Sequence, residues 1–233
     1  MKKRIAVLSG AGVSAESGLE TFRDAGGLWE HENPYEVASI DGWYRDRGRA
    51  LYFYNKLRRQ VGEAQPNEAH RLIAELEKDY VVDVITQNVD DLHERAGSTH
   101  VVHLHGEINK VRPENCYNEE DGFSEDNVFE VGYGEVNLGD KAPNGVQLRP
   151  HIVFFGEAVP KMEKAIELVS KADIVIIVGT SLQVYPAAGL YRYAKAEAPI
   201  YIIDPADLKV WDPRLQHIKK TATQGMAEVI KLL

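Results

Sequence analysis

Two histidines at the end of a short apolar run have the type and spacing expected for proton-transfer chemistry. His103 and His105 are two positions apart, so a strand would direct both side chains to one face. Histidine is a good general base because its pKa lies near neutral pH, and His105 stands beside a glycine at the strand end. A two-histidine metal site is the alternative, although no third ligand has a suitable spacing, and a lone histidine is more often structural.

Polar side chains follow a second apolar run, at residues 81–85. Gln87, Asn88 and Asp90 could hydrogen-bond sugar hydroxyls or a carboxamide where a parallel strand opens into a crevice. Asn88 or Asp90 could equally cap a helix N-terminus, and the residues themselves favour neither interpretation.

A glycine-bearing turn, Gly10-Ala11-Gly12-Val13-Ser14, follows the first apolar run at 4–8. Glycine lets the backbone approach a pyrophosphate, and the N-terminus of a following helix would add amide donors. The dinucleotide-binding fingerprint has a third glycine where this chain has Ala15. A purely structural turn would look similar.

Further residues with ligand-binding potential lie in three other segments. Gly179-Thr180-Ser181 and Asp204 follow apolar runs and suit ribose or phosphate contacts. Phe22, Arg23 and Trp29 lie in a glycine-bearing segment, which we interpret as a mobile loop able to cover a ligand and exclude water.

The elements that must position these residues alternate along the chain. Six apolar runs are predicted strands: 4–8, 81–85, 101–104, 152–155, 174–178 and 200–203. Apolar residues at helical spacing predict one helix that begins at Pro66 and another over 162–169. This order predicts an α/β fold, a Rossmann-like doubly wound parallel sheet with ligands beyond the carboxyl ends of its strands.

Composition disfavours several classes of protein. The formal net charge of −9 argues against binding to nucleic acid, because phosphate neutralisation needs clustered Lys and Arg. No run approaches the ~20 apolar residues of a membrane-spanning helix, so no membrane association is expected. The N-terminal apolar run is too short for a signal peptide, and a single cysteine, Cys116, fits a reducing, cytoplasmic location.

One segment differs from the rest of the chain in charge. Residues 113–140 contain nine acidic residues and no Lys or Arg, whereas the remainder is balanced. We predict a solvated loop or small sheet there. The expected organisation is a single domain over 1–233, with a helical insertion at 28–65 and a small acidic module at 109–149.

Six motifs occur together in the order and spacing of the sirtuin family: Gly10-Ala11-Gly12-Val13-Ser14, Thr21-Phe22-Arg23-Asp24, Gln87-Asn88-Val89-Asp90, His103-Leu104-His105-Gly106, Phe155-Gly156-Glu157 and Gly179-Thr180-Ser181. The chain resembles this family over 5–233, and resembles its bacterial desuccinylase-like subgroup. The resemblance implies an NAD-dependent protein lysine deacylase, a transferase that releases nicotinamide and O-acyl-ADP-ribose. Its partners would be acyl-lysine proteins or peptides; the oligomeric state is not indicated.

The resemblance also implies residue roles. His105, Asn88 and Asp90 are expected to be catalytic, with His105 deprotonating a ribose hydroxyl. The expected NAD-binding residues are Gly10, Ala11, Gly12, Ser14, Phe22, Arg23, Trp29, Gln87, Asn88, Asp90, Gly179, Thr180, Ser181, Asp204 and Ala222, with Asp204 in place of the more usual asparagine. Substrate peptide is expected to add as a strand beside Val153, Phe154, Phe155, Gly156 and Glu157.

The chain departs from the family at its zinc site. Sirtuins usually bind structural zinc through two C-x-x-C pairs, but Pro113 and Cys116 occupy the first pair and no cysteine follows. Zinc is therefore not expected, and a metal-free module is predicted. Zinc held by Cys116 and carboxylates is the minor alternative.

A second departure affects acyl choice. Sirtuins that remove succinyl or malonyl groups share a Tyr-x-x-Arg motif, which binds the distal carboxylate of the acyl group. Tyr54 matches the tyrosine, whereas Leu57 replaces the arginine. Arg58 shares a helix face with Tyr54 and could substitute, or it could simply be exposed to solvent. We predict weakened desuccinylation relative to removal of acetyl or apolar acyl groups.

Three other functions are compatible with such a pocket. A sirtuin-like ADP-ribosyltransferase would use the same NAD site with another acceptor. A non-catalytic NAD or ADP-ribose sensor would bind without turnover, although the presence of His105 and Asn88 argues against it. A hydride-transfer dehydrogenase is the third, and no residue marks a site for its substrate.

Overall fold

The computed structural model describes residues 2–20, 32–115, 117–118, 122–123, 127–207 and 211–233. The strands are β1 (Arg4–Ser9), β2 (Val81–Thr86), β3 (Val101–His103), β4 (Gly106–Pro113), β5 (Tyr117–Asn118), β6 (Gly122–Phe123), β7 (Phe129–Glu130), β8 (Leu148–Ile152), β9 (Ile174–Val178), β10 (Ile200–Ile203) and β11 (Leu215–Ile218). The α-helices are α1 (Pro34–Val37), α2 (Ile40–Arg45), α3 (Arg47–Glu63), α4 (Glu68–Glu75), α5 (Leu92–Ala96), α6 (Met162–Lys171) and α7 (Ala222–Val229).

A six-stranded parallel sheet forms the centre of the molecule, in the order β11-β10-β9-β1-β2-β3. The chain leaves β1 toward β2 and β3, and later returns to the other side of β1 as β9. The point of reversal therefore lies between β1 and β9, where ligands bind in such folds. Every residue of β9 and β10 is buried, as their uniformly apolar sequences predict.

Helices cover both faces of this sheet. α6 and the 3-10 helix Ala187–Tyr193 pack on one face, where Ala6, Val175 and Ala165 belong to one core. α4 and α7 pack on the other face, against Ile5, Val7 and Ile176. The predicted Rossmann-like α/β fold is thus confirmed.

A smaller antiparallel module accompanies the main sheet. Its three strands run in the order β7-β4-β8, with β5 and β6 as a separate hairpin. Helices α1–α3 pack against this module around a third core that contains Trp43, Tyr54, Ile108 and Phe154.

Three predictions about elements were wrong. The run 152–155 is not a strand of the parallel sheet, because β8 ends at Ile152 in the antiparallel module. Helix α4 begins at Glu68 rather than at Pro66, since the side chain of Asn67 accepts a hydrogen bond from the Ala69 amide at 2.9 Å and caps the helix. Between β1 and residue 20, where this part of the described chain ends, there are two 3-10 turns, Ala11–Val13 and Ala15–Ser17, instead of an α-helix.

No helix in the described ranges is both long enough and apolar enough to span a membrane.

Candidate active site

Two turns meet at the carboxyl ends of β1 and β9. The Gly10 amide donates to the carbonyl of Val178 at 3.1 Å, and the Gly12 amide donates to the carbonyl of Gly179 at 2.9 Å. A Cβ atom on Gly12 would lie 2.7 Å from the Cα atom of Gly179, so only glycine permits this approach. We call the region beyond these two turns, at the reversal of strand order, the crevice, because this is where a pyrophosphate binds in such folds.

Gly179 provides a test of this close packing. Its φ is +65°, and an added Cβ would lie 2.2 Å from the backbone nitrogen of Val13. We expect Gly179→Ala to lower the free energy of unfolding by about 2–5 kcal/mol, from backbone strain and steric overlap together, and to weaken ADP-ribose binding. Denaturant unfolding and calorimetric titration measure the two effects.

Gly132 is the matched control, because its φ is +60° but a Cβ there would meet nothing within 4 Å. Gly132→Ala should cost about 1–2 kcal/mol from backbone strain alone, with ADP-ribose affinity unchanged. Equal losses in the two proteins would contradict the steric argument.

Asn88, Asp90 and Ser14 form a buried hydrogen-bond cluster next to this crevice. The Ser14 hydroxyl donates to the Asp90 carboxylate at 3.0 Å and accepts from the Asn88 side-chain amide at 3.1 Å. Burial raises the pKa of Asp90. The alternative capping role is also present, since the Leu92 amide at the start of α5 donates to Asp90 at 3.1 Å. The loop after β2 therefore serves the helix and the site together.

The imidazole of His105 is held in one tautomer. Its Nδ1 lies 3.0 Å from the carbonyl of Gln87, so Nδ1 carries the proton and donates it. No other described residue has a hydrogen bond with Nε2, which keeps its lone pair available. Burial lowers the pKa of His105, so the ring is neutral at physiological pH. These are the properties of a general base.

His103 is bound at both ring nitrogens. Nδ1 lies 3.0 Å from the carbonyl of Asn88 and Nε2 lies 2.7 Å from the carboxylate of Glu94. No ring nitrogen is left for a metal, so the alternative of a two-histidine metal site is wrong. In the part of the chain that the structure describes, no three His, Cys, Asp or Glu side chains are grouped to hold an ion.

A further pair of buried histidines lies below the cluster and was not predicted. His70 Nε2 is 3.4 Å from the Ser14 hydroxyl, and His93 Nε2 is 2.9 Å from the Ser9 hydroxyl. Burial lowers the pKa of His70 to about 4 and that of His93 well below its usual value. Both rings are therefore neutral. The signal for His70 was its position three residues after the helix cap Asn67.

The other predicted NAD-binding residues are distributed around the crevice. The Gln87 side chain donates to the Thr180 hydroxyl at 3.3 Å, which links the loops after β2 and β9. The Asp204 carboxylate accepts from the Ala206 amide at 2.8 Å within its own turn. Ala11 lies in the turn after β1 and Ser181 in the turn after β9. Phe22, Arg23 and Trp29 lie outside the described residues, as does Cys116.

The N-terminus of α7 is bound by an unpredicted residue. Ala222 is the first residue of this helix and is buried. Next to it, the Thr223 amide and hydroxyl donate to the two carboxylate oxygens of Glu16 at 2.9 and 2.6 Å. Glu16 thus connects the turn after β1 to α7, and hydrogen bonds from Thr223 lower its pKa against the opposing effect of burial.

Tyr54 and Arg58 are both buried, so the alternative of a solvent-exposed Arg58 is wrong. Arg58 donates from Nε to the carbonyl of Ile108 at 2.8 Å and from Nη1 to the side chain of Asn55 at 2.6 Å. Burial lowers the pKa of Arg58 to about 10. Tyr54 packs on Phe154 with ring centroids 5.6 Å apart. The guanidinium is therefore bound to α3 and β4.

The predicted peptide-binding stretch is only partly accessible. The side chains of Phe154 and Glu157 are enclosed. The Phe155 backbone is also occupied, since its amide donates to Ala38 at 2.8 Å and its carbonyl accepts from Ile40 at 3.0 Å. The Phe155 side chain is 46% exposed and Gly156 is exposed. Val153 is half-buried, and its amide donates to the carbonyl of His105 at 2.9 Å.

Comparisons with known proteins match most of the chain. A profile of the Sir2 family matches residues 10–186. A protein named NAD-dependent protein deacylase from Bacteroides thetaiotaomicron is 51% identical over 234 residues, which cover 99% of this chain and 98% of that protein. A protein of the same name from Helicobacter pylori is 51% identical over 232 residues, 99% of this chain and 97% of that protein.

Solved structures agree with the sequence comparison. The complex of a Sir2 homologue with NAD superimposes with a TM-score of 0.85 at 37% identity, covering 99% of this chain and 89% of that one. A mutant Sir2 homologue in complex with ADP-ribose gives a TM-score of 0.86 at 38% identity, covering 99% of this chain and 91% of that one.

Proposed function

The chain belongs to the Sir2 family and is an NAD-dependent protein deacylase, and we propose that His105 is the general base of its reaction on acyl-lysine. One observation carries this proposal. The carbonyl of Gln87 holds the proton of His105 on Nδ1, so the basic Nε2 is free, and Gln87 directly precedes Asn88 of the buried cluster. No other described imidazole near the crevice combines a free basic nitrogen with partial exposure.

The residues at the crevice fit NAD. Gly10, Gly12 and Gly179 let the turns after β1 and β9 pack against each other, which places backbone rather than side chains where a pyrophosphate binds in such folds. Gln87 and Thr180 are joined across the opening and offer groups for ribose hydroxyls. When bound, NAD supplies the ribose to which the acyl group is transferred, with nicotinamide as the leaving group.

The protein's own residues have separable tasks in this proposal. His105 accepts a hydroxyl proton on Nε2 and later returns it. Asn88 and Asp90 orient the nicotinamide-bearing end of NAD, and the Ser14 hydroxyl fixes both of them. Their burial excludes water that would compete with the acyl group. The exposed Phe155 and Gly156 border the surface on which the peptide would lie.

Incubation with NAD and a mixed acyl-lysine peptide panel, followed by mass analysis, tests the proposal. We expect nicotinamide, free lysine peptide and O-acyl-ADP-ribose in equal amounts. ADP-ribosylated protein without loss of the acyl group would indicate a transferase with another acceptor. Tight NAD binding without any turnover would indicate a sensor.

We propose that the acyl pocket prefers acetyl and apolar acyl groups over succinyl. Leu57 lies one helical turn from Tyr54 and packs against the apolar core around α3. Members of the desuccinylase-like subgroup, which the chain resembles, carry arginine at this position. Arg58 donates from Nε to Ile108 and from Nη1 to Asn55, so it can offer a carboxylate only Nη2, which has no partner among the described residues, and not a bidentate pair of nitrogens. An acyl carboxylate would therefore lack the bidentate partner that an arginine at position 57 provides, which disfavours its burial.

Leu57→Arg tests this preference. We expect kcat/KM for a succinyl peptide to rise about ten- to a hundred-fold, because a charge-assisted hydrogen bond contributes ~1.5–3 kcal/mol, while acetyl turnover falls or stays constant. Lys56→Arg is the control, since Lys56 lies over the ring of exposed Tyr52 at 4.3 Å. Preferred succinyl cleavage by the parent, lost in Arg58→Ala, would show that Arg58 has this role.

We propose that the small module needs no zinc, because the chain has one cysteine and cannot build a four-thiolate site. Dialysis against a strong chelator should leave the deacylation rate and the thermal midpoint unchanged. Stoichiometric zinc by elemental analysis, with loss of stability on its removal, would contradict this.

A further inference from the structure

The loop after β2 is held by two histidines at adjacent carbonyls. His105 donates to the carbonyl of Gln87 and His103 to that of Asn88, each at 3.0 Å. The Asn88 amide donates to the Thr86 hydroxyl at 3.0 Å, and its side chain donates to Ser14 at 3.1 Å. Asn88 is therefore fixed at its amide, its carbonyl and its side chain.

The two histidines differ in what their second nitrogen contacts. In His105 only Nδ1 is bound to a described residue, which suits a neutral ring. In His103 both nitrogens face acceptors, the carbonyl of Asn88 and the carboxylate of Glu94. A neutral ring has one N–H group, so only the doubly protonated imidazolium satisfies both acceptors.

We propose that His103, paired with Glu94, is a positioning residue for deacylation that acts by fixing the carbonyl of Asn88. This inference rests on the proposed function, because Asn88 is the residue whose side chain orients NAD. A shift of the Asn88 carbonyl would move that side chain relative to Ser14 and to His105. Displacements of this size cost rate more than binding.

The groups that face His103 support a charged ring. Burial lowers the pKa of His103, but the hydrogen bond and charge of Glu94 and the charge of Glu107 outweigh it, and the net shift is upward. The charge of a protonated His103 would lower the pKa of Asp90, against the larger effect of burial. A charged His93 would disfavour a charged His103, but burial lowers the pKa of His93 and keeps it neutral. His103 itself is 4% exposed.

Asparagine and leucine at position 103 form a matched pair for the test. An asparagine side-chain amide stands near the place of Nδ1 and can still donate to the Asn88 carbonyl, whereas leucine has similar volume and no donor. We expect kcat to fall about ten- to a hundred-fold in His103→Leu with KM for NAD nearly constant. His103→Asn should recover most of that loss. His100→Leu, at an exposed histidine in the segment before β3, is the control.

Equal rates in His103→Leu and the parent would overturn the proposal, as would equal impairment of the leucine and asparagine proteins. ADP-ribose binding and thermal unfolding show whether each variant folds. If the variants do not fold, a measurement on the parent protein still tests the proposal. Ring ¹⁵N resonances at neutral pH should show His103 protonated on both nitrogens. A ring protonated on Nε2 alone would overturn the proposal, even if the parent showed no deacylation.

Discussion

Replacement of His105 with alanine is expected to lower kcat for deacylation by about a thousand-fold, within the range that general-base catalysis contributes. Nε2 is the basic nitrogen of the site, and alanine removes it without adding a group that could replace it. ADP-ribose affinity should stay close to that of the parent, because the glycine turns at the pyrophosphate crevice follow β1 and β9, away from the strand that precedes His105. Single-turnover kinetics and calorimetric titration measure the two quantities.

The pH dependence of the parent gives an independent check. The base acts in its neutral form, and burial lowers the pKa of His105 below its usual value of 6.5. The rate should therefore be constant through neutral pH and fall only as the pH drops through this lowered pKa. His105→Ala should abolish that acidic limb. His100→Ala is the control, since His100 is exposed.

A His105→Ala protein that retained rapid turnover would contradict the assignment of the base. Loss of ADP-ribose affinity with an unchanged kcat would assign the residue to binding instead. A fall in kcat with preserved affinity agrees with a basic Nε2, the tautomer that the hydrogen bond to the Gln87 carbonyl implies.

The parallel sheet was predictable because its strands are buried on both faces. β9 and β10 have the bounds that uniform apolar runs predict, and β1 and β2 extend one residue further. β11 was missed, since its sequence Leu-Gln-His-Ile includes two exposed polar residues at the sheet edge. The run 152–155 was wrongly assigned to the parallel sheet, because an apolar run does not indicate which sheet a strand joins.

The residues expected to react or bind NAD were easier to predict than the residues that hydrogen-bond to them. His105, Asn88 and Asp90 stand out as polar residues at strand ends, where function concentrates in parallel sheets. His93 could not be placed, because its partner Ser9 is 84 positions away. Glu94 is only nine positions from His103, but neither helical nor strand spacing predicts that pair. Glu16 reaches across 207 positions to Thr223, which no local pattern indicates. Burial of Arg58 depends on carbonyls of the module, which become known only with the fold.

A buried ion cluster stabilises the junction of the small module, and Glu157 is its centre. Its carboxylate contacts Arg149 at 2.7 Å and Arg112 at 3.4 Å, and accepts from the Phe154 amide at 2.7 Å. The Arg149 guanidinium carbon also lies 4.0 Å from the centre of the Phe154 ring. The carboxylate thus balances two guanidinium groups that are 1% and 3% exposed.

Glu157→Gln should lower the free energy of unfolding by about 3–5 kcal/mol, because it removes a buried charge and leaves two cations without it. Glutamine keeps the size and one acceptor, so loss of packing cannot explain the effect. Glu167→Gln is the matched control: Glu167 also pairs with lysines, but in solvent, and its loss should leave the urea midpoint nearly unchanged. Similar midpoints for the two variants would show that Glu157 is dispensable. Phe155 and Gly156 lie between Glu157 and Phe154, whose amide donates to the Glu157 carboxylate. We therefore expect the KM for peptide to rise in Glu157→Gln while the affinity for NAD stays the same.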